Sequence, residues 1–403
     1  MRSVVHNATR RSSIRSSLHG AATACVLITA TLLVGASSAA AAPTAFKPPK
    51  VRHVFVIVLE NESYESTFGD PAADPYLAQT LPAQGALLEN YYATGHESNG
   101  NYISLVSGQP PNIENQADCQ VFGDFVGALT LPDGVESGDG CVYPASVEDI
   151  GTQLSATKRK WKAYEEDMGN DPNRETAACG HPQVGAIDET QKAESADGYA
   201  TRHDPFVYFH SVIDNQVYCD AHVVALGSPS GAMPAAKLRG ETGLASDLRS
   251  GHTPSFTFIT PNLCNDGHDY PCVNQPSGTS ALANVDAFLE TWVPKITSSP
   301  AFLRDGLLEI VFDESAGPTS DSSSCCEETP GPGSLLPGIT GPGGGRVGAV
   351  VISPFIKPGT LSTTPYNHYS SLASWESLLG LPRLADAATV PTVFGADVFT
   401  AAK

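Results

Sequence analysis

The chain has 403 residues, 41% of them hydrophobic, with 43 acidic against 23 basic side chains and a formal charge of −20 at pH 7. That length and apolar content supply a large core, which excludes an intrinsically disordered chain. The acidic balance repels nucleic acid and anionic membranes at long range and argues against both as partners.

The first 42 residues read as a secretory signal peptide rather than as part of the fold. Arg2, Arg10, Arg11 and Arg15 form a basic start, residues 21–33 an apolar stretch, and residues 37–42 a small-residue run suited to cleavage. Arg10-Arg11 hints at a twin-arginine variant, and Cys25 lies on the wrong side of the apolar core for a lipoprotein. Residues 43–403 then form one exported domain with no second apolar span and no stable membrane anchor. Removing four arginines and no acid takes the charge from −20 to −24. Eight cysteines remain: Cys119, Cys141, Cys179, Cys219, Cys264, Cys272, Cys325 and Cys326. An even number in an exported chain implies disulfides; sequential pairing is the simplest connectivity, which spacing does not fix, and the adjacent Cys325 and Cys326 suit a vicinal bridge.

In chain order, residues 51–59 (VRHVFVIVL), 206–212 (FVYFHSV), 255–260 (SFTFIT), 307–312 (LLEIVF) and 348–353 (GAVVIS) read as buried strands. Residues 161–166 (WKAYEE) read as a further strand whose Glu165 or Glu166 approaches a substrate. Leu282, Val285, Leu289, Trp292, Val293 and Ile296 recur at helical spacing, as do Leu372, Trp375, Leu378 and Leu379 before a C-capping Gly380. Strands alternating with helices predict an α/β fold: a three-layer α/β/α sandwich on a largely parallel sheet. Residues 315–345 are rich in Gly, Pro and Ser, and read either as a loop overhanging a site or as a surface insertion.

Ligands gather at the carboxyl ends of parallel strands. Here residues 51–59 run into Glu60-Asn61, residues 255–260 into Pro261-Asn262 and then Asp266-Gly267-His268-Asp269, and residues 307–312 into Asp313-Glu314. Carboxylate, amide oxygen and imidazole are the ligands of a hard or borderline divalent cation. Residues 95–102 (GHESNGNY) precede a helix-compatible stretch, so Ser98 falls in its first turn, where free N–H groups favour a phosphate and an alkoxide, and Asn101 could donate its amide to a phosphoryl oxygen.

These segments together resemble the phosphoesterase family of bacterial phospholipases C and acid phosphatases, a branch of the alkaline-phosphatase-like superfamily. The resemblance rests on His96-x-Ser98-x-x-Asn101-Tyr102, Glu60-Asn61-x-x-Tyr64, Pro261-Asn262 leading to Asn265-Asp266-Gly267-His268-Asp269, Asp313-Glu314, and Asn367-His368-Tyr369-Ser370, in one order across residues 51–381. It implies a metal-dependent phosphoester hydrolase. Glu60, Asn61, Asp313 and Glu314 would bind one ion, and Ser98 would be the nucleophile touching it. Asp266, His268 and His368 would hold a second ion or contact phosphate, and His203, in Arg202-His203-Asp204-Pro205-Phe206, would contact substrate. The ion is Mg, Ca, Mn or Zn, one or two per site. Gly100 stands where relatives often carry Pro, and Glu314 where some carry Asp.

The expected substrate is a small phosphomonoester, as for an acid phosphatase. Alternatives are a phosphodiester or phospholipid headgroup, and a non-catalytic secreted metal-binding protein of the same fold. Sulfatase chemistry needs C/S-x-P-x-R, which is missing around Ser98. His181, His210, His222 and His252 have no supporting motif and read as structural.

Overall fold

The computed structural model describes residues 46–328 and 330–401; the expected signal peptide lies outside them. Eight strands form the central sheet: β1 (His53–Leu59), β2 (Ala86–Leu88), β3 (Trp161–Glu165), β4 (Val223–Ala225), β5 (Phe256–Thr260), β6 (Gly306–Phe312), β7 (Ala349–Ile352) and β8 (Thr360–Ser362). Their order is β8-β2-β7-β6-β1-β5-β3-β4, and β7 alone runs against its neighbours. Every residue of β5 and β6 is buried, as is every residue of β1 after His53, so both sheet faces are covered. This is the reason these strands lack the alternation of a half-exposed sheet.

The covering helices are α1 (Ser98–Ser107), α2 (Ile150–Ala156), α3 (Gln216–His222), α4 (Leu244–Ser250), α5 (Ala281–Thr297), α6 (Pro300–Asp305) and α7 (His368–Leu379). Register sorts them into two layers. Trp161 pairs with Phe256 and Val56 with Glu309, which places these side chains on one face. That face meets Trp375 and Ser371 of α7, Tyr102 of α1 and Tyr218 of α3. Phe55, level with Thr257 and Leu308, points the other way onto Phe302 of α6, which packs with α4 and α5. The three-layer α/β/α architecture is therefore the one the sequence pattern predicts.

One expected strand is absent and three short ones are new. Residues 206–212 do not form a strand: Pro205–Tyr208 is a 3-10 turn and His210–Ile213 a single helical turn. Pro205 lacks an N–H for a ladder, and a short unbroken apolar run carries no period that separates a strand from a buried turn. The three-residue strands β2, β4 and β8 are too short to give a sequence signal. Helix ends follow their capping residues: Ser280 and Asn367 accept from the third N–H of α5 and α7, and Gly108 and Gly380 end α1 and α7 at φ 72° and 66°. The cysteines pair sequentially, 119–141, 179–219, 264–272 and 325–326. Among the described residues, no helix is long and apolar enough to cross a membrane.

One charged side chain sits in the middle of the core. Glu309, fully buried on β6, accepts from Ser371 Oγ (2.5 Å) and Trp375 Nε1 (2.8 Å). Burial pushes its carboxyl up to about 7. The folded chain then keeps a proton that the unfolded chain has released, so this group costs stability as pH rises from 4.5 towards about 7. Glu309→Gln keeps both hydrogen-bond partners and should lose up to about 3 kcal/mol less than wild type over that window, read by urea unfolding at pH 4.5 and 7.5. Parallel pH profiles in the two proteins would contradict this.

Candidate active site

Ser98 opens α1 from a turn that few side chains tolerate. Its predecessor Glu97 sits at φ 69°, ψ 135°, a region L-residues rarely adopt. Two contacts hold that backbone. The Glu97 N–H donates to Glu314 Oε2 (3.1 Å), and Asn101 Nδ2 donates to the carbonyls of Gly95 (2.8 Å) and Glu97 (3.3 Å). Asn101 Oδ1 meanwhile accepts from Gly95 N–H (2.9 Å) and Thr94 Oγ1 (3.0 Å). The amide is fully used, which corrects the expectation that Asn101 donates to a phosphoryl oxygen: it clamps the turn that presents Ser98. Ser98 itself is buried and donates from Oγ to Glu60 Oε2 at 2.9 Å. At Gly100 an added Cβ would come within 3.3 Å of Pro111 and Asn115, so the absent side chain lets that segment close on the helix.

The acids at the strand ends converge as the resemblance implies. Glu60 and Asn61 follow β1, Asp313 and Glu314 follow the adjacent β6, and Asp266 comes from the loop after β5, where its carbonyl accepts the Glu60 N–H (2.9 Å). Asn61 has φ 58°, and its N–H donates to Asp313 Oδ1 at 3.2 Å. One terminal atom of its side-chain amide stands 3.0 Å from Glu60 Oε2, 3.1 Å from Asp313 Oδ1 and 3.3 Å from Glu314 Oε1. With nitrogen in that position the amide donates to the carboxylates; with oxygen there, four oxygens face one another and a cation is needed to reconcile them. Oxygen separations near 3 Å are those along an octahedral edge around a small divalent ion.

On its other side Glu60 meets His203 and Asp266. His203 lies 3.4 Å from Glu60 Oε1 through Nε2 and 3.4 Å from Asp266 Oδ2 through Nδ1, its ring stacked on Tyr102 at 5.1 Å. These three buried residues can present one ligand atom each within 4.8 Å of one another, the one such group among the described residues. Glu60 Oε1, His203 Nε2, Asp266 Oδ2 and Asp313 Oδ2 are buried without a hydrogen-bond partner. Burial and mutual repulsion push Glu60, Asp266, Asp313 and Glu314 far above the ordinary carboxylate range, whereas burial pushes His203 down and keeps it neutral. Orphaned acceptors, crowded carboxylates and a neutral imidazole fit a divalent cation. His203 thus belongs with the candidate ligands.

Two expected ligands sit elsewhere. His368 uses both ring nitrogens, Nε2 donating to the Asp313 carbonyl (2.6 Å) and Nδ1 facing Tyr91 Oη (3.2 Å). Burial takes its pKa down to about 4, so it is a neutral brace behind Asp313. His268 Nδ1 bonds Asp269 (2.8 Å) and Nε2 accepts from Arg202 Nη2 (3.1 Å), leaving no lone pair for an ion; its backbone N–H donates to Asp266 Oδ1 (2.8 Å). Glu166 accepts from Asn262 N–H (3.0 Å) and from Asn265 Nδ2, fixing the loop that carries Asp266.

Two residues that the sequence motifs contained without a role gain one. His96 Nδ1 is hydrogen-bonded to Glu314 Oε2, and its Nε2 donates to the Asp321 carbonyl (2.8 Å). Asp321 and Gly344 of the Gly/Pro/Ser-rich segment therefore lie against the turn that carries Ser98, with Gly344 N–H bonded to the Ala93 carbonyl (3.0 Å). Arg202 is 2% exposed, 3.5 Å from Asp118, and its Nε has no hydrogen-bond partner. Its carbonyl accepts from Asn99 Nδ2 (3.2 Å), next to Ser98, which brings a buried cation to the edge of an acidic cluster.

If this cage holds an ion, Mn at a hundredfold excess over its Kd should stabilise the fold by about 2.7 kcal/mol. The rise in melting temperature should vanish in Asp313→Asn; the same rise in both proteins would place the ion elsewhere.

The chain is similar to known phosphatases. It is 26% identical over 330 residues to an acid phosphatase of Aspergillus fumigatus, covering 82% of this chain and 55% of that protein. It is 24% identical to a phosphatidylinositol-3-phosphatase of Mycobacterium tuberculosis, covering 86% and 82%. It spans little more than half the length of its fungal relatives. A solved Bacteroides thetaiotaomicron protein of a glycosaminoglycan-metabolising locus shares the fold at 11% identity and a TM-score of 0.50, covering 87% and 82%. The profile of the Phosphoesterase family matches residues 72–382, and the chain belongs to that family.

Proposed function

We propose that this protein is a secreted, metal-dependent phosphoester hydrolase that attacks small phosphomonoesters with Ser98. The observation carrying this reading is the Ser98 hydroxyl, buried at a helix N-terminus and donating to Glu60 at 2.9 Å beside the carboxylate and amide cage. Glu60, Asn61, Asp313 and Glu314 would hold one cation, and Glu60, His203 and Asp266 a second. A divalent ion bound there supplies positive charge to the phosphoryl oxygens and lowers the pKa of a neighbouring hydroxyl.

The chain's own residues account for the remaining requirements. Glu60 Oε2 is already the acceptor of the Ser98 proton. Ser98 lies in the first turn of α1, where the helix N-terminus favours negative charge, and the Asn99 N–H there already donates to Asp118 Oδ1 (3.1 Å). Arg202 supplies a buried guanidinium beside the cluster, its Nε held only loosely, 3.5 Å from Asp118 Oδ2, and would turn it to a non-bridging oxygen. Asn101 and the Glu97–Glu314 bond hold the turn that carries Ser98. Attack by Ser98 Oγ forms the O–P bond as the ester oxygen departs with its electron pair, giving a phosphoseryl intermediate and an alcohol. Water then cleaves the phosphoseryl ester, restoring Ser98 and releasing inorganic phosphate.

The monoester reading is supported by relatives described as acid phosphatases and as a phosphatidylinositol-3-phosphatase, the latter keeping a phosphomonoester on a lipid headgroup as the second candidate substrate. Disulfides and the leader-like first 42 residues support export.

Hydrolysis of para-nitrophenyl phosphate with a divalent ion should fall at least about a thousandfold in Ser98→Ala. Undiminished activity in that variant would remove the mechanism, and inactivity of the wild type with every ion would leave a non-catalytic metal-binding protein. The bis-ester should be the poorer substrate. Arg202→Lys should raise KM for the monoester about tenfold, because an ammonium cannot replace the guanidinium fork; an unchanged KM would take Arg202 out of the phosphate site.

A further inference from the structure

The charge of this protein is not evenly spread. Strands β1, β3, β4, β5 and β6 share one direction, so their amino ends form an edge opposite the acidic cluster. The seven residues of β1 separate the two edges by about 20 Å. The segments entering those strands are tied side by side: Arg52 N–H donates to the Asp305 carbonyl (3.0 Å), Ser255 N–H to the Lys160 carbonyl (2.8 Å), and the Arg159 guanidinium to the Leu379 carbonyl at the end of α7.

Three cavities open along this edge and its helix ends. One of about 450 Å³ is lined by Lys160, Lys162, His222 and His252. A second, of about 560 Å³, is lined by Lys47, Lys50, Arg52 and Arg159, and a third, of about 210 Å³, by Arg249 and Lys295. Eight of the chain's 23 Lys and Arg residues line these hollows, against the single carboxylate of Asp247. Asp247 is already engaged by Lys162 (2.8 Å) and Tyr164 Oη (2.7 Å). In a chain of charge −20, that concentration runs against the overall sign of the charge.

We infer that this basic edge docks the protein on an extended anionic polysaccharide, with the Ser98 edge facing away into solvent. Charge complementarity supplies the attraction. The hydroxyl lining supplies the match to sugars, since Thr242, Ser246, Ser250, Ser255, Ser377 and Ser298 line the same three hollows. Three separate concavities suit several pendant anionic groups of one chain. A bilayer would instead need a projecting apolar anchor, and the exposed ring at this edge, Phe46, is stacked on Phe399. Docking this way keeps a soluble substrate's path to Ser98 open. The net acidity expected to repel polyanions is thus not matched in the lining of these hollows.

The test uses immobilised dextran sulfate and the whole exported chain. Binding should be saturable at about 20 mM salt and lost near about 0.5 M. The triple variant Lys47→Gln, Lys50→Gln, Lys160→Gln should weaken it at least about tenfold, whereas Lys192→Gln, Lys237→Gln, Arg239→Gln, with the same change of charge, should stay within about twofold. In wild type, the polymer should protect Lys47, Lys50 and Lys160 from acetylation, a readout independent of any variant. Equal losses in both variants, no protection of those lysines, no binding, or binding only to phosphatidylglycerol vesicles would each overturn the inference. None of these readouts depends on hydrolytic activity.

Discussion

Four carboxyl groups buried in one place repel one another, and in a medium of low dielectric each unpaired charge is costly to hold. Glu60, Asp266, Asp313 and Glu314 are packed together at the ends of three neighbouring strands, with almost no solvent to share their charge. A fold keeps such an arrangement only if protons or a cation neutralise it. The surroundings are built for the second solution: an amide at hydrogen-bond distance from three of the carboxylates, a neutral imidazole between two of them, and several acceptors without a donor. Much of the nearby structure secures these groups rather than contacting a substrate. His368 braces Asp313 from behind, Glu166 anchors the loop bearing Asp266, and His96 ties Glu314 to residues 315–345.

The proposed nucleophile depends on the same cluster. Ser98 stands where it does because Glu97 accepts an unfavourable backbone conformation, and that conformation is held by Glu314 and by Asn101. A carboxylate of the ion cage thus also sets the backbone on which the serine is mounted. Strain at the turn and repulsion in the cage are coupled, and an ion that relieves the second would firm the first.

Much of this was legible in the sequence, for identifiable reasons. A carboxylate following an unbroken apolar strand must lie at a strand end, so Glu60 and Asp313 announced their common edge. Helices with strong caps, α5 and α7, were equally plain. Residues 206–212 misled because a buried turn and a buried strand share the same composition. Asn101, His268 and His368 were recognised as members of the constellation, but composition does not say whether a polar side chain faces the ligand or the residue behind it. Only their partners separate a turn clamp, a partner of Arg202 and a brace from a ligand. Arg202 carried no signal beyond its place beside His203, and the basic edge was hidden by the net charge, which sums two opposite ends of the sheet.

The most direct measurement is anomalous diffraction from a crystal grown with Mn. The account requires a peak within coordination distance of Glu60, Asn61 Oδ1, Asp313 and Glu314, next to Ser98 Oγ. A well-ordered cage without a peak, its carboxylates protonated and Asn61 presenting its nitrogen, would contradict it.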